Sequence, residues 1–135
     1  MTPTEEQNLQ IVKAAYAASA RGDPQGFMAS FTSETEIHEA ASLPYGGIHT
    51  GLQSFPTLIG KVLEYFSSLN FNKHHIIASG DHVISWGILD LVGKSTGKSV
   101  TIPLVEIWTI IEGKTRKLEV IYGDTAAALR AAGLI

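Results

Sequence analysis

The sequence has no cysteine, so neither a disulfide nor a thiolate metal site is open to it. Basic residues are in the minority, 10 Lys and Arg against 13 Asp and Glu, giving a formal net charge of −3. That balance supplies no positive field for nucleic acid or for an anionic membrane surface. No apolar run approaches the ~20 residues that span a bilayer. The opening "MTPTEEQNLQ" carries acids where a secretory signal needs basic and then apolar residues, so the expected setting is cytoplasmic. "GGIHTG" lacks the Lys-Ser/Thr of a phosphate-binding loop, and neither G-x-S-x-G nor G-x-G-x-x-G occurs.

What is present is a globular composition, 44% hydrophobic and 17% charged over 135 residues, enough for one domain (residues 1–135) with one real core. Leu9, Val12 and Tyr16 recur at helical spacing behind an acidic first turn, Glu5 and Glu6, and Gly22 marks the expected stop. Asp23-Pro24 reads as a cap and first residue of a short second helix through Phe31. "TEIHEA" reads as a strand, and Leu52 to Ser67 as a third helix burying Phe55, Leu58, Ile59, Val62 and Phe66. Strand-like segments follow at about 69–79, 82–94, 99–112 and 117–122, separated by the turn words "SGD", "STGK" and "EGKT". Asp124 stands ready to cap a last helix, "TAAALRAAG". Helices first and an antiparallel meander after them predict an α+β fold, with helices on one face of a curved sheet.

Two carboxylates stand out within apolar runs. Glu39 shares strand parity with Ile37, so both face inward together. There Glu39 is either a desolvated base or a carboxylate that accepts backbone N–H bonds from "SLPYGG". Glu106 shares a face with Leu104, Trp108 and Ile110, and a charge on such a face costs several kcal/mol unless paired or protonated. The opposite face, Val105, Ile107 and Ile111, is apolar too, and Pro103 is a possible bulge. Trp86 and Trp108 fit either a pocket for a flat ligand or ordinary core. Adjacent strand residues such as His74 and His75 point to opposite faces, so the five histidines predict no metal site. One histidine beside the Glu39 loop, His38 or His49, could pair with a carboxylate.

The words "YAASARGD" (Tyr16–Asp23), "EIHEAASLPYGGIHTG" (Glu36–Gly51), "VEIWTIIEGK" (Val105–Lys114) and "VIYGDTAAAL" (Val120–Leu129), in this order, resemble the SnoaL-like branch of the nuclear transport factor 2-like superfamily. The resemblance implies a cone-shaped barrel of a curved, mainly antiparallel sheet with helices packed on its concave face. Against ketosteroid isomerase, a relative in that superfamily, Glu39 takes the place of the general base and Glu106 that of a protonated acid. Tyr16 lies about one residue, ~100° of helix rotation, from the place of the oxyanion tyrosine. Both acids are Glu where the isomerase has Asp. The SnoaL-type cyclases imply an acid/base role for Asp124, which a helix cap explains equally well. The same resemblance implies a homodimer through the outer sheet face.

The expected function is proton transfer without a cofactor: an isomerase, cyclase or related lyase acting on a small hydrophobic, carbonyl-bearing molecule. Catalysis is expected from Glu39, Glu106 and Asp124, and substrate contacts from Tyr16, Ile37, Tyr45, Trp86, Leu104, Trp108 and Tyr122. A hydratase or epoxide hydrolase could use the same carboxylates on water. The rival is a binding protein, the cone with an apolar pocket and no turnover, or a dimerisation module whose cone Trp86, Trp108 and Phe side chains fill. Whether Glu39 and Glu106 face one cavity discriminates the two.

Overall fold

Thr2 and Glu5 close the first helix reciprocally: Glu5 N–H donates to Thr2 Oγ1 (3.1 Å), and Thr2 N–H donates to Glu5 Oε1 (2.8 Å). This capping box sets the start of α1 (Pro3–Ala20) ahead of the acidic turn. The computed structural model describes all 135 residues. After α1 come α2 (Pro24–Phe27), β1 (Phe31–Glu39), β2 (Gly47–Thr50), α3 (Ser54–Val62), β3 (Phe66–Ser79), β4 (His82–Gly93), β5 (Ser99–Ile111), β6 (Lys114–Tyr122) and α4 (Thr125–Ala131).

Three boundaries differ from expectation. The second helix stops at Phe27, and Phe31 begins β1, because Phe27 and Phe31 both turn into the core beside Trp108. The third helix stops at Val62, and the aromatic, β-favouring run from Phe66 extends β3. The segment "GIHT" pairs with β1, Ile37 opposite His49, so a segment that reads as loop is a strand.

The sheet order is β2-β1-β6-β5-β4-β3, leaving β2 and β3 as edges of a curved, unclosed sheet. Neighbours are antiparallel except β1 and β6, which run parallel. The β5–β6 turn places Glu112 and Gly113 at φ 50° and 77°, the paired positive values of a tight hairpin. On the inner face α1 packs against β3 and β4, α3 against β1 and β2, and α4 against β4 and β5. Trp108, Phe27 and Phe31 pack together at the base of that layer. No helix is long and apolar enough to cross a membrane.

Candidate active site

Between the inner sheet face and helices α1 and α3 lies a cavity of about 360 Å³, with 15 of its 20 lining residues hydrophobic. The other five are Ser19, Glu39, Asn70, Lys73 and Glu106. Strand parity explains the carboxylates: Ile37 and Glu39 point inward from β1, and Leu104, Glu106, Trp108 and Ile110 from β5. Glu39 and Glu106 therefore face one cavity.

Glu106 is well supported. Tyr16, from α1, donates its hydroxyl proton to Glu106 Oε1 at 2.7 Å. The Trp108 indole N–H donates to the same phenol oxygen at 3.0 Å, and Ser85 Oγ lies 2.6 Å from it. A phenol has one proton; with that proton on Glu106, the Ser85 hydroxyl must be the donor in its pair. Every bonding position of the Tyr16 oxygen is thus engaged. Burial, and next the charge of Glu106, raise the Tyr16 pKa well above that of a free phenol. Burial raises the Glu106 pKa, but the Tyr16 bond and the Lys73 ammonium pull it back.

Glu39 has no such help. Its Oε1 is enclosed with no hydrogen-bond partner, so the loop "SLPYGG" does not serve as its donor there. Burial, and next the charge of Glu106, push its pKa up to about 8. Two acids in one apolar cavity ionise in sequence, and the anion with hydrogen-bond and cation support forms first. Here that is Glu106, leaving the proton on Glu39.

Tyr122 lines the cavity at the end of β6, and its hydroxyl lies 2.7 Å from that of Tyr45. Tyr45 is 1% exposed and its hydroxyl has no other hydrogen-bond partner, so its proton goes to Tyr122. The Tyr122 proton then remains to be offered into the cavity. Burial and the neighbouring carboxylates raise the pKa of Tyr122, which keeps that proton in place.

Tyr16, Ile37, Leu104 and Tyr122 line the cavity as the sequence predicts. Tyr16 reaches Glu106 despite its offset along the helix, because α1 turns that face toward β4 and β5. Tyr45 and Trp108 stand behind the lining and hold Tyr122 and Tyr16. Trp86 does not line it. Ser85 and Gly87 take the inward positions of β4, so Trp86 points outward, 37% exposed and stacked on His75 at 4.6 Å. Asp124 is exposed and accepts the Ala127 N–H (2.9 Å) as the cap of α4, away from the cavity. His38 pairs with Glu36 (2.8 Å) and His49 with the Tyr45 carbonyl (2.8 Å), so neither reaches Glu39. Ser85 and Lys73 are the residues the sequence reading missed. The alternation Leu69, Phe71, Lys73 was the available signal for the lysine.

The sequence model of the SnoaL-like domain matches residues 12–117. No protein of curated function matches the sequence. Among solved structures, an NTF2-like protein from Burkholderia thailandensis is 29% identical over 92% of this chain and 95% of its own, with a TM-score of 0.85. TerC, co-crystallised with polyporic acid, is 22% identical over 94% and 98%, with a TM-score of 0.84. A protein assigned to the SnoaL-like polyketide cyclases, from Jannaschia sp. CCS1, is 16% identical over 100% and 97%, with a TM-score of 0.83. At these identities the last two likenesses establish the fold. With the family match running from α1 into β6, the chain belongs to the SnoaL-like domain family.

Proposed function

We propose that this protein is an enzyme that moves a proton at carbon next to a carbonyl, on a small and largely apolar molecule, without a cofactor. The observation that carries this reading is the pair Glu39 and Glu106 in one apolar cavity, with hydrogen-bond support for only one of the two charges. Ionised Glu106 takes the proton from carbon. The electrons pass to the carbonyl oxygen, where the neutral Glu39 carboxyl and the Tyr122 hydroxyl donate to the enolate. Return of the proton to a different carbon gives an isomerisation; attack of the enolate carbon on a second carbonyl gives ring closure, the proton held by Glu106 passing to the new alkoxide oxygen. The isomerase pattern assigns the two carboxylates the other way round, with Glu39 as base. Proton placement favours the assignment made here. A dimerisation module with a filled cone is disfavoured, since Trp86 lies outside and Trp108 beneath the lining.

The test is substrate-independent: deuterium uptake from D₂O at the α-carbons of a panel of cyclic ketones and β-diketones. Wild-type protein should accelerate uptake for at least one compound. Glu106→Gln should slow that uptake by ~10²-fold or more, the usual cost of losing a general base. Glu39→Gln keeps a donor at the enolate oxygen and should retain more activity than Glu106→Gln. A Glu106→Gln protein working at the wild-type rate would remove Glu106 from the chemistry. The pH profile should be bell-shaped, rising as Glu106 ionises and falling as Glu39 ionises near about 8. Were Glu39 the base, the rate would climb through that pH.

A further inference from the structure

Lys73 is the one cation in the cavity lining, and the proton-transfer reading uses it only as a distant charge that lowers the Glu106 pKa. It comes from the edge strand β3, where alternation would send the next inward residue to position 75. A bulge at His74 intervenes: Lys73 pairs with Gly87, and His75 already with Trp86. A Cβ on Gly87 would collide with Asn72 O and His74 N, so this close strand crossing is built on glycine. The irregularity leaves Lys73 pointing in and His75 pointing out.

The ammonium is then held over aromatic faces, 4.5 Å from the Tyr16 ring centre and 5.3 Å from that of Phe71. Such contacts favour the charged form of the lysine, as does the charge of Glu106, against a burial that lowers its pKa. Its only hydrogen bond is to the carbonyl of Phe71, at 3.2 Å. It is absent from the ion pairs of the molecule, which join Arg21 to Asp23, His38 to Glu36 and Lys117 to Glu119. Two N–H donors of a half-buried cation therefore have no protein partner, at a cavity whose lining is mostly apolar. Glu106 does not take them. The two groups share Tyr16, the ammonium over its face and the carboxylate on its hydroxyl, and act on each other through charge without a hydrogen bond.

We propose that Lys73 is an anion-recognition residue, and that the ligand of this cavity is an apolar molecule with an acidic group, a carboxylate or an acidic enol. The acidic group sits at Lys73, and a carbon of the same molecule is presented to Glu106. This deepens the proton-transfer reading by naming its substrate class, and rests on that reading only for what happens at Glu106.

The experiment compares calorimetric binding of 2-naphthoate and 2-naphthamide, equal in shape and different in charge. Wild-type protein should bind the carboxylate at least ~10-fold more tightly than the amide, a preference that weakens with added salt. Lys73→Arg should keep the preference; Lys73→Met and Lys73→Gln should bring the ratio to about 1 while amide affinity stays near wild type. Equal affinities in the wild type, a ratio unchanged in both neutral variants, or no saturable naphthoate binding at millimolar concentration would each overturn the proposal. Binding is read without turnover. Loss of the naphthoate preference with α-proton exchange intact sinks only the anion site, and the converse sinks only the chemistry.

Discussion

At the scale of single residues, the site depends on which polar atoms are satisfied. Glu106 receives the Tyr16 proton, whereas Glu39 Oε1 receives nothing. The folded protein therefore holds the Glu39 proton far more tightly than the unfolded chain does, with a pKa of about 8 against an ordinary 4.5. Because the folded state binds the extra proton, stability is fully present below 4.5 and is lost as pH rises through about 8. Glu39→Gln removes that dependence. The variant should match or exceed wild-type stability at about pH 6, and exceed it by on the order of a few kcal/mol at about pH 9. Denaturant titrations at the two pH values measure the gap; a gap that shrinks with rising pH contradicts the placement of Glu39. Glu106, also raised, contributes the same sign and remains in both proteins.

At the scale of elements, strand parity was legible in the sequence, and side-chain partnerships were not. Ile37 with Glu39, and Leu104 with Glu106 and Trp108, fall on the inner face because alternation is fixed by the pleat. The bulge at His74 and the β2 pairing depend on backbone contacts from distant segments, which no local pattern encodes. Trp86 was misplaced for a related reason: both faces of its strand are apolar, so composition did not decide which one is covered. The Tyr16–Ser85–Trp108 bonds join residues 69 and 92 positions from the tyrosine, beyond any motif. Two glycines test the strand crossing. Gly87→Ala should cost ~1–3 kcal/mol, because the methyl has no room, and should weaken naphthoate binding by displacing Lys73. Gly60→Ala, inside α3 with open space at its Cβ, should instead stabilise by ~0.5–1 kcal/mol. Equal effects in thermal melts would argue against the close crossing. On α4, Asp124→Ala should lose ~1 kcal/mol and Asp124→Asn very little, with α-proton exchange unchanged in both.

At the scale of the whole molecule, the curved sheet has two uses. Its inner face, closed over by α1 and α3, carries the cavity. The outer face exposes Ile77 and Ile121, each 47% accessible, beside Trp86, and alternates with Ile84, Ile88, Val105 and Ile107. Apolar surface of that extent on a sheet calls for a partner. We propose that it pairs with the same face of a second copy, a self-complementary arrangement. Sedimentation at micromolar concentration should give a dimer, and Trp86→Glu should convert it to a folded monomer. A wild-type monomer under those conditions contradicts the pairing.

The central claim is that one proton is placed unequally between the two carboxylates. Carboxyl-carbon NMR of protein labelled at glutamate, with Glu39→Gln and Glu106→Gln used for assignment, reads it directly. Glu106 should lose its proton first, and Glu39 should stay neutral until the pH nears about 8. A titration in which Glu39 ionises first, or near the ordinary 4.5, would contradict the account.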